Sequence, residues 1–444
     1  MLNGHVVSRP ISIRRDGKMA EKLEKQENQN FLVAYLKASS FHGVRHLTNF
    51  RRNHPFETGF WSLAILTFAV WSAVNASLLW TRYFTNPTVI TIDREYLNRN
   101  ITFPPMTLCL YEKLNESAMN EFLIEKSFNE TRRADPKLRS FMNSLAHFRI
   151  DNLHELANAK ENFFDIEDYI SIIMRISNKF PHHITITSSN EIYYFEPILS
   201  EQLGLCYSFN SRISTLLSPN YLLTGNLENN STDKLLEEVN YFDGDASAVT
   251  DGLSNSADIY YHGPNELPSK LKKITNEDPE QKSYISLVLI PVIIKSQKNT
   301  RDLFEFQRKC KFEDESDLEY FPQIYTQDLC QLECRMKKFL EFCDCLPFFY
   351  KRKGVSYALV DALQRNNDCQ CLKDCNEIKY SVQASNTMFW FHDSRVSWMV
   401  TQTKVIYNRE LIHGFTETLI SSGANLSLFL GMSTLSVIFV KHLT

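Results

Sequence analysis

The sequence predicts a membrane protein in which two transmembrane helices bracket one large, disulfide-stapled extracellular domain. Two uncharged apolar runs, Phe60 to Thr81 and Thr418 to Val440, are each long enough to cross a hydrocarbon core. A core of ~30 Å takes roughly 20 helical residues. All ten cysteines of the 444-residue chain fall between those runs. An even number of cysteines gathered in one compartment marks that compartment as oxidising. Ten Lys and Arg precede the first run, from Arg9 to Arg52, against half as many acids. Cytoplasmic flanks of a span carry that excess.

The elements follow in order. Residues 1–59 form a cytosolic N-terminus, with no apolar stretch before Phe60 and so no expected cleavable signal peptide; the first span is itself the anchor. Residues 60–81 are the first transmembrane helix, with Trp61, Trp80 and Tyr83 as amphipathic ring anchors at the interfaces. Residues 82–417 are the cysteine-rich extracellular domain, 418–440 the second transmembrane helix and 441–444 a short cytosolic tail. The expected location is a membrane crossed twice, with both termini in the cytosol. The competing reading, two buried core helices of a soluble protein, is disfavoured by the lack of charge over both runs.

A net charge of −4, without a Lys/Arg cluster interleaved with aromatics, gives no reason to invoke nucleic acid. The chain carries no P-loop, no His-Glu-x-x-His and no Gly-x-Ser-x-Gly elbow, so neither enzymatic activity nor a cofactor is expected. Asn229 to Asp233 and Asp243 to Asn255 are polar and read as exposed loops. Asn-x-Ser/Thr sequons at Asn100, Asn115, Asn129, Asn229 and Asn230 lie in the extracellular region and are compatible with glycosylation there. Asn75 and Asn425 match too, but inside the spans.

Cysteine spacing is more telling than the count. Cys330 and Cys334 are four apart in a segment rich in helix formers, which points both sulfurs to one helix face. Cys369 and Cys371 are two apart, which on an extended segment again points both one way. An antiparallel pass then pairs Cys330 with Cys371 and Cys334 with Cys369, enclosed by Cys310 with Cys375. A zinc site is the runner-up, disfavoured by the oxidising compartment and by the absence of histidine from the cluster.

These residues resemble the degenerin/epithelial sodium channel family. The segment Arg308-Lys309-Cys310, Tyr320-Phe321, Tyr325, Cys330, Glu333-Cys334, Cys343-Asp344-Cys345 and Cys369-Gln370-Cys371 to Cys375 is similar to the family's thumb. Other landmarks recur in the family's order: His42-Gly43, Phe103 to Cys109, Gly204 to Asn210, His262 to Pro268 and Gly431-Met432-Ser433. Cys343 to Tyr350 looks most like the arthropod pickpocket branch. The resemblance covers about Phe41 to the end.

It implies an α+β membrane protein with a β-rich extracellular palm and helical thumb, finger and knuckle regions. It implies a subunit of a trimeric, sodium-selective, voltage-insensitive cation channel of the plasma membrane, blocked by amiloride and, in this branch, sensory. The implied partners are sodium ions, membrane lipid and other subunits of the family in a homo- or heterotrimer. Cys109 would bridge Cys206. Gly431, Met432 and Ser433 match the Gly-x-Ser selectivity filter, Ser427 (with Gly423 one turn before it) the site of amiloride block, and His42-Gly43 the gating motif.

Elementary chemistry gives those residue types a reason. Carbonyls tied up in a helix cannot coordinate sodium, and a break frees them where backbone lines a water-filled cavity. Glycine permits the break and a close approach of backbones. Rings of carbonyls and hydroxyls then replace part of the ion's hydration shell. Gly423, Ser427 and Gly431 also recur every four residues, the small-residue pattern of plain helix packing in membranes. The span alone leaves the two readings level, and the resemblance favours the filter. The acidic run Glu313, Asp314, Glu315, Asp317 and Glu319 reads as a solvated face, or as an acid-sensing cluster if the carboxylates raise one another's pKa.

The chain departs from the family in three ways. Two further cysteines usual after Cys345 are missing, so Cys343 and Cys345 are free, joined to each other, or paired with another chain. Phe439 stands where the family commonly has Glu, which makes a homotrimer a poor pore and a heteromer the better expectation. The sequence stops at Thr444 without the usual tail. Two other readings stand beside the pore subunit: a non-conducting regulatory subunit of such a channel, and the ATP-gated trimeric channels. The cysteine spacing, the Gly-x-Ser match and the pre-span His-Gly speak against the last.

Overall fold

The computed structural model describes residues 42–47, 54–95, 97, 99–158, 163–180, 182–187, 191–225, 236–240, 242, 244–253, 257–269, 273–276, 282–351, 356–358 and 369–431. It divides into two compact units, Met1–Val89 with Leu411–Thr444, and Ile90–Glu410. The longer helices are α1 (Pro55–Thr85), α2 (Glu116–Glu125), α3 (Pro136–Ala146), α4 (Tyr169–Ile176), α5 (Gln327–Cys343) and α6 (Phe415–Leu430).

The first unit is built on α1 and α6. Pro55 occupies the first turn of α1, where its missing N–H costs nothing and its φ suits the helix. This 31-residue helix is long and apolar enough to cross a membrane, and it runs one turn beyond the expected 60–81 at each end. Within the pair it is polar groups that are buried. The Asn425 Nδ2 donates to the Ser72 carbonyl (3.1 Å), and Thr418 and Ser72 are enclosed. The Phe429 ring stacks near Phe68 and Trp71, while Trp80 and Tyr83 gather around Phe415.

Among the described residues, the second unit holds two large sheets and three two-stranded ladders. The strands of the large sheets are β1 (Thr88–Asp93), β2 (Met106–Leu110), β3 (His183–Ile186), β4 (Ile192–Tyr194), β5 (Glu196–Ser200), β6 (Gly204–Phe209), β7 (Ala246–Leu253), β8 (Ala257–Tyr261), β9 (Lys273–Asn276), β10 (Ser283–Ser296), β11 (Glu377–Phe389), β12 (Ser394–Val400) and β13 (Ile406–Leu411). The eight-stranded sheet runs β1-β13-β10-β12-β7-β3-β4, with β11 on the other edge of β10. The five-stranded sheet runs β9-β8-β2-β6-β5. Strand β10 shows why this region is sheet: Ile285, Leu287, Leu289 and Ile293 alternate inward along it. Their side chains meet Leu108, Phe103, Phe209 and the fully enclosed Trp398 in one core. The Trp398 indole N–H finds the Pro104 carbonyl at 3.3 Å.

A second core packs α2, α3 and α4 with Leu199, Leu205 and the inner face of α5. Helix α5 begins at an N-cap, where Thr326 Oγ1 accepts from the Leu329 N–H (3.1 Å), and ends at Asp344, whose φ is +52°.

Two sequence expectations need correction. Asp243 to Asn255 is not a loop, because residues 246–253 form β7 between β3 and β12. The segment is rich in Asp, Gly and Ser, so composition alone reads as loop. Ala246 and Ala248 are nevertheless buried, in a strand paired on both edges. Cys369 and Cys371 are not on an extended segment either. The Cys371 N–H donates to the Cys369 carbonyl (2.9 Å), a three-residue turn that carries both sulfurs to the same side. Asn229 to Asp233 lie outside the described residues.

Candidate pore site

The site sits in the helical unit, where α6 stops. Helix α6 starts at Phe415 and ends at Leu430, Gly431 follows with φ +68°, and the rest of the expected span to Val440 lies outside the described residues. That left-handed conformation strains any residue with a Cβ and is open to glycine. The Gly431 N–H still closes the last turn on the Ser427 carbonyl at 2.9 Å. The carbonyls at a helix C-terminus lack intrahelical donors. One of them, that of Leu430, accepts the His42 backbone N–H at 2.9 Å. The chain's pre-span segment therefore caps the end of its last described helix.

Local packing holds His42 there. Gly43 has φ +78°, and a Cβ on it would lie 2.8 Å from Trp61 Cε3 and 3.3 Å from the Ile65 side chain. Glycine is demanded twice over, by conformation and by space. A single helical turn, Val44–Leu47, follows. The His46 ring lies flat on Trp61 (centroids 4.5 Å apart, 7° between planes) and its Nδ1 is 3.5 Å from a Glu57 carboxylate oxygen. Trp61, expected as an interface anchor, is thus also the platform on which the His-Gly turn rests.

The remaining filter candidates divide. Ser427 is exposed and Gly423 half-buried, whereas Asn425 is buried against α1. Ser427 lies two positions from Asn425, so it points away from α1. Ala424, Ser427 and Leu428 make a face of α6 that this chain leaves uncovered. Met432, Ser433 and Phe439 lie outside the described residues.

In the second unit the structure joins Cys109 to Cys206, Cys310 to Cys375, Cys330 to Cys371 and Cys334 to Cys369. Cys343 is bonded to Cys345, which selects one of the three states left open by the sequence. Among the described residues no group of His, Cys, Asp and Glu is placed to hold a metal. Of the sequons, Asn100 is exposed on a short strand, with its amide 3.1 Å from a Glu238 carboxylate oxygen. Asn115 and Asn129 are helix N-caps, each side-chain oxygen accepting a backbone N–H, at 3.0 Å from Ala118 and 3.1 Å from Arg132. Asn229 and Asn230 are outside the described residues.

The acidic run is dispersed among cations. Asp314 pairs with Arg301 (2.8 Å), Asp317 with Lys311 (2.7 Å), Glu313 with Arg212 (2.6 Å) and Glu315 with Arg308 (2.5 Å). The bonds to Arg301 and to Lys311 hold Asp314 and Asp317 below the ordinary carboxylate range. Sequence reasoning missed Asp374, which stands next to Cys375. Burial pushes its carboxyl up to about 7, against a hydrogen bond from the Gln327 N–H and with Asp328, Glu377 and Glu313 nearby.

Comparison with known proteins decides the family. The model of the amiloride-sensitive sodium channel family matches residues 35–438. The chain belongs to that family. It is 23% identical to Pickpocket protein 28 of Drosophila melanogaster over 92% of this chain and 77% of that protein. It is 24% identical to the sodium channel protein Nach of Drosophila melanogaster over 31% of each chain, and 28% identical to Nach of Drosophila virilis over 31% of this chain and 43% of that one. A family of ion channels places the chain outside the enzymes, and its matched span includes His42-Gly43, all ten cysteines and Gly431.

Proposed function

We infer that this chain is a subunit of a trimeric, voltage-insensitive, amiloride-sensitive sodium channel of the plasma membrane. On this reading α1 and a second span from Thr418 to Val440 cross the bilayer, both termini are cytosolic, and 82–417 is extracellular, with palm, thumb, finger and knuckle regions and glycans at Asn100, Asn115, Asn129, Asn229 and Asn230. Gly431, Met432 and Ser433 form the selectivity filter, Ser427 and Gly423 line the pore where amiloride binds, and His42-Gly43 gates it. The observation that carries the reading is the end of α6 at Gly431 with the His42 N–H on the Leu430 carbonyl. A helix terminus there leaves backbone carbonyls free of intrahelical bonds at the depth where an ion must be stripped of water. The motif assigned to gating touches that same terminus, so a movement of His42 changes which carbonyls are engaged.

Phe439 favours a heteromer in a sensory cell, with a partner subunit supplying the acidic ring, and it is also the one observation behind a second reading, a non-conducting regulatory subunit. Whole-cell current is the test, with surface labelling on the same cells. Expressed with a conducting family member, this chain should yield an amiloride-blocked inward current that vanishes when sodium is replaced by a large organic cation. Ser427→Ala or Gly431→Ala in this chain should alter block or selectivity. Surface protein whose Gly431 and Ser427 variants leave selectivity and block unchanged would establish the regulatory reading instead.

A further inference from the structure

Beside the Cys109–Cys206 bridge lies a cavity of about 240 Å³ that the channel reading does not use. Ligand cavities run from about 300 Å³ upward, so this one suits a small molecule and not a peptide. Its floor is Lys113, which is 3% exposed. The ammonium meets one acceptor, the Leu203 carbonyl, and packs so close to Gly204 that a Cβ there would lie 2.8 Å from Nζ. An ammonium carries three donors, so two remain for the cavity.

The charges around it are unbalanced. Asp258 is the one carboxylate of the lining, and it is already committed. Its oxygens take the Tyr111 hydroxyl (2.6 Å), the Tyr260 hydroxyl (3.3 Å) and the Lys273 ammonium (2.6 Å). Lys113 and the exposed Arg149 are left, and among the described residues neither has a carboxylate within ion-pair distance. A buried cation without a counter-charge is costly. Burial first, and then Arg149, push the Lys113 amine down to about 7, with Asp258 opposing them.

We propose that this cavity binds a small organic carboxylate, with its oxygens held between the Lys113 ammonium and the Arg149 guanidinium and its apolar end against Leu110 and the Cys109–Cys206 bridge. An ammonium and a guanidinium converging on one cavity supply donors matched to two carboxylate oxygens. The groups that face Lys113 are Arg149, Asp258 with its tyrosines and Lys273, and His147, whose Nε2 accepts the Lys113 backbone N–H at 3.4 Å. Binding is strongest where Lys113 is charged and weakens as pH rises past neutrality.

The test is thermal unfolding of the purified full-length chain in detergent, with a bulky morpholino-sulfonate as counter-ion and sodium propionate or sodium chloride added at matched ionic strength. Propionate should raise the midpoint saturably at pH 6.5 and less at pH 8.5. Lys113→Met and Arg149→Gln should each abolish the shift. Arg149 is exposed, so R149Q keeps the wild-type midpoint and carries the test even if K113M fails to fold. No saturable shift at pH 6.5, or a full shift in R149Q, overturns the site. A shift with chloride equal to that with propionate overturns the carboxylate assignment.

Discussion

In the unit Ile90–Glu410, Trp398, Phe103, Leu287 and Leu289 are fully enclosed, and Arg308, Lys311 and Glu333 go inside as members of ion pairs, unlike Lys113. In the helical unit Leu63, Leu66 and Leu78 are 65, 62 and 58% exposed, while Ser72, Thr418 and Asn425 are buried. The Ser72 and Ser422 hydroxyls and the Asn425 amide oxygen have no hydrogen-bond partner. Sequence alternation in β10 hides apolar side chains from water. Helix α1 buries Tyr83 but leaves most of its apolar side chains exposed. The contrast teaches that one chain is written for two solvents: burial of apolar area stabilises the unit Ile90–Glu410, at about 25 cal/mol per Å². Between helices in lipid that driving force is absent, and small or polar residues make the contact.

Two substitutions press on that contrast. Trp398→Ala should have the largest effect, a loss of about 3–5 kcal/mol, because a filled core cannot close over a cavity of that size. Thermal unfolding of the full chain should show the fall in midpoint; an unchanged midpoint would mean that the two sheets do not share one core. Leu66→Asp follows at about 3 kcal/mol if α1 faces lipid, given that Asp at a span's centre costs about 2.5–3.5 kcal/mol on the insertion scale. In water an exposed Leu replaced by Asp would cost almost nothing, so surface labelling equal to wild type breaks the comparison outright.

The smallest effect separates a cap from a glycan. Asn115→Ala removes the oxygen that caps α2 and should cost about 1 kcal/mol. Ser117→Ala abolishes the same sequon but keeps that oxygen, so its midpoint should stay within a few tenths of a kcal/mol of glycan-free wild type. Equal losses in both variants would assign the stability to the sugar.

Legibility followed the same division. The apolar helix at the N-terminal side was readable because lipid solubility is a property of composition along one segment. The order of landmarks from His42-Gly43 to Gly431 was readable as a family pattern, and the family match supports it. Residues 246–253 were misread because Ala246, Ala248, Asp251 and Gly252 carry little strand signal of their own. Their conformation is set by β3 and β12 on either side, and β-propensity depends on such neighbours. Asp374 was missed because a raised carboxyl pKa needs burial, and burial does not show in a Lys-Asp-Cys tripeptide.

What the sequence by itself determined about this protein is therefore its covalent and solvent logic: which residues prefer lipid, which compartment its cysteines share, which family it belongs to. Tertiary structure alone decided that the His42 N–H reaches the Leu430 carbonyl, that Cys343 takes Cys345, and that Lys113 faces a cavity whose one carboxylate, Asp258, is engaged by Tyr111, Tyr260 and Lys273. Each of these is a meeting of groups distant in sequence or set by local backbone turn. Hydrogen bonds and ion pairs act over a few ångströms, and only the folded chain brings their partners within that range.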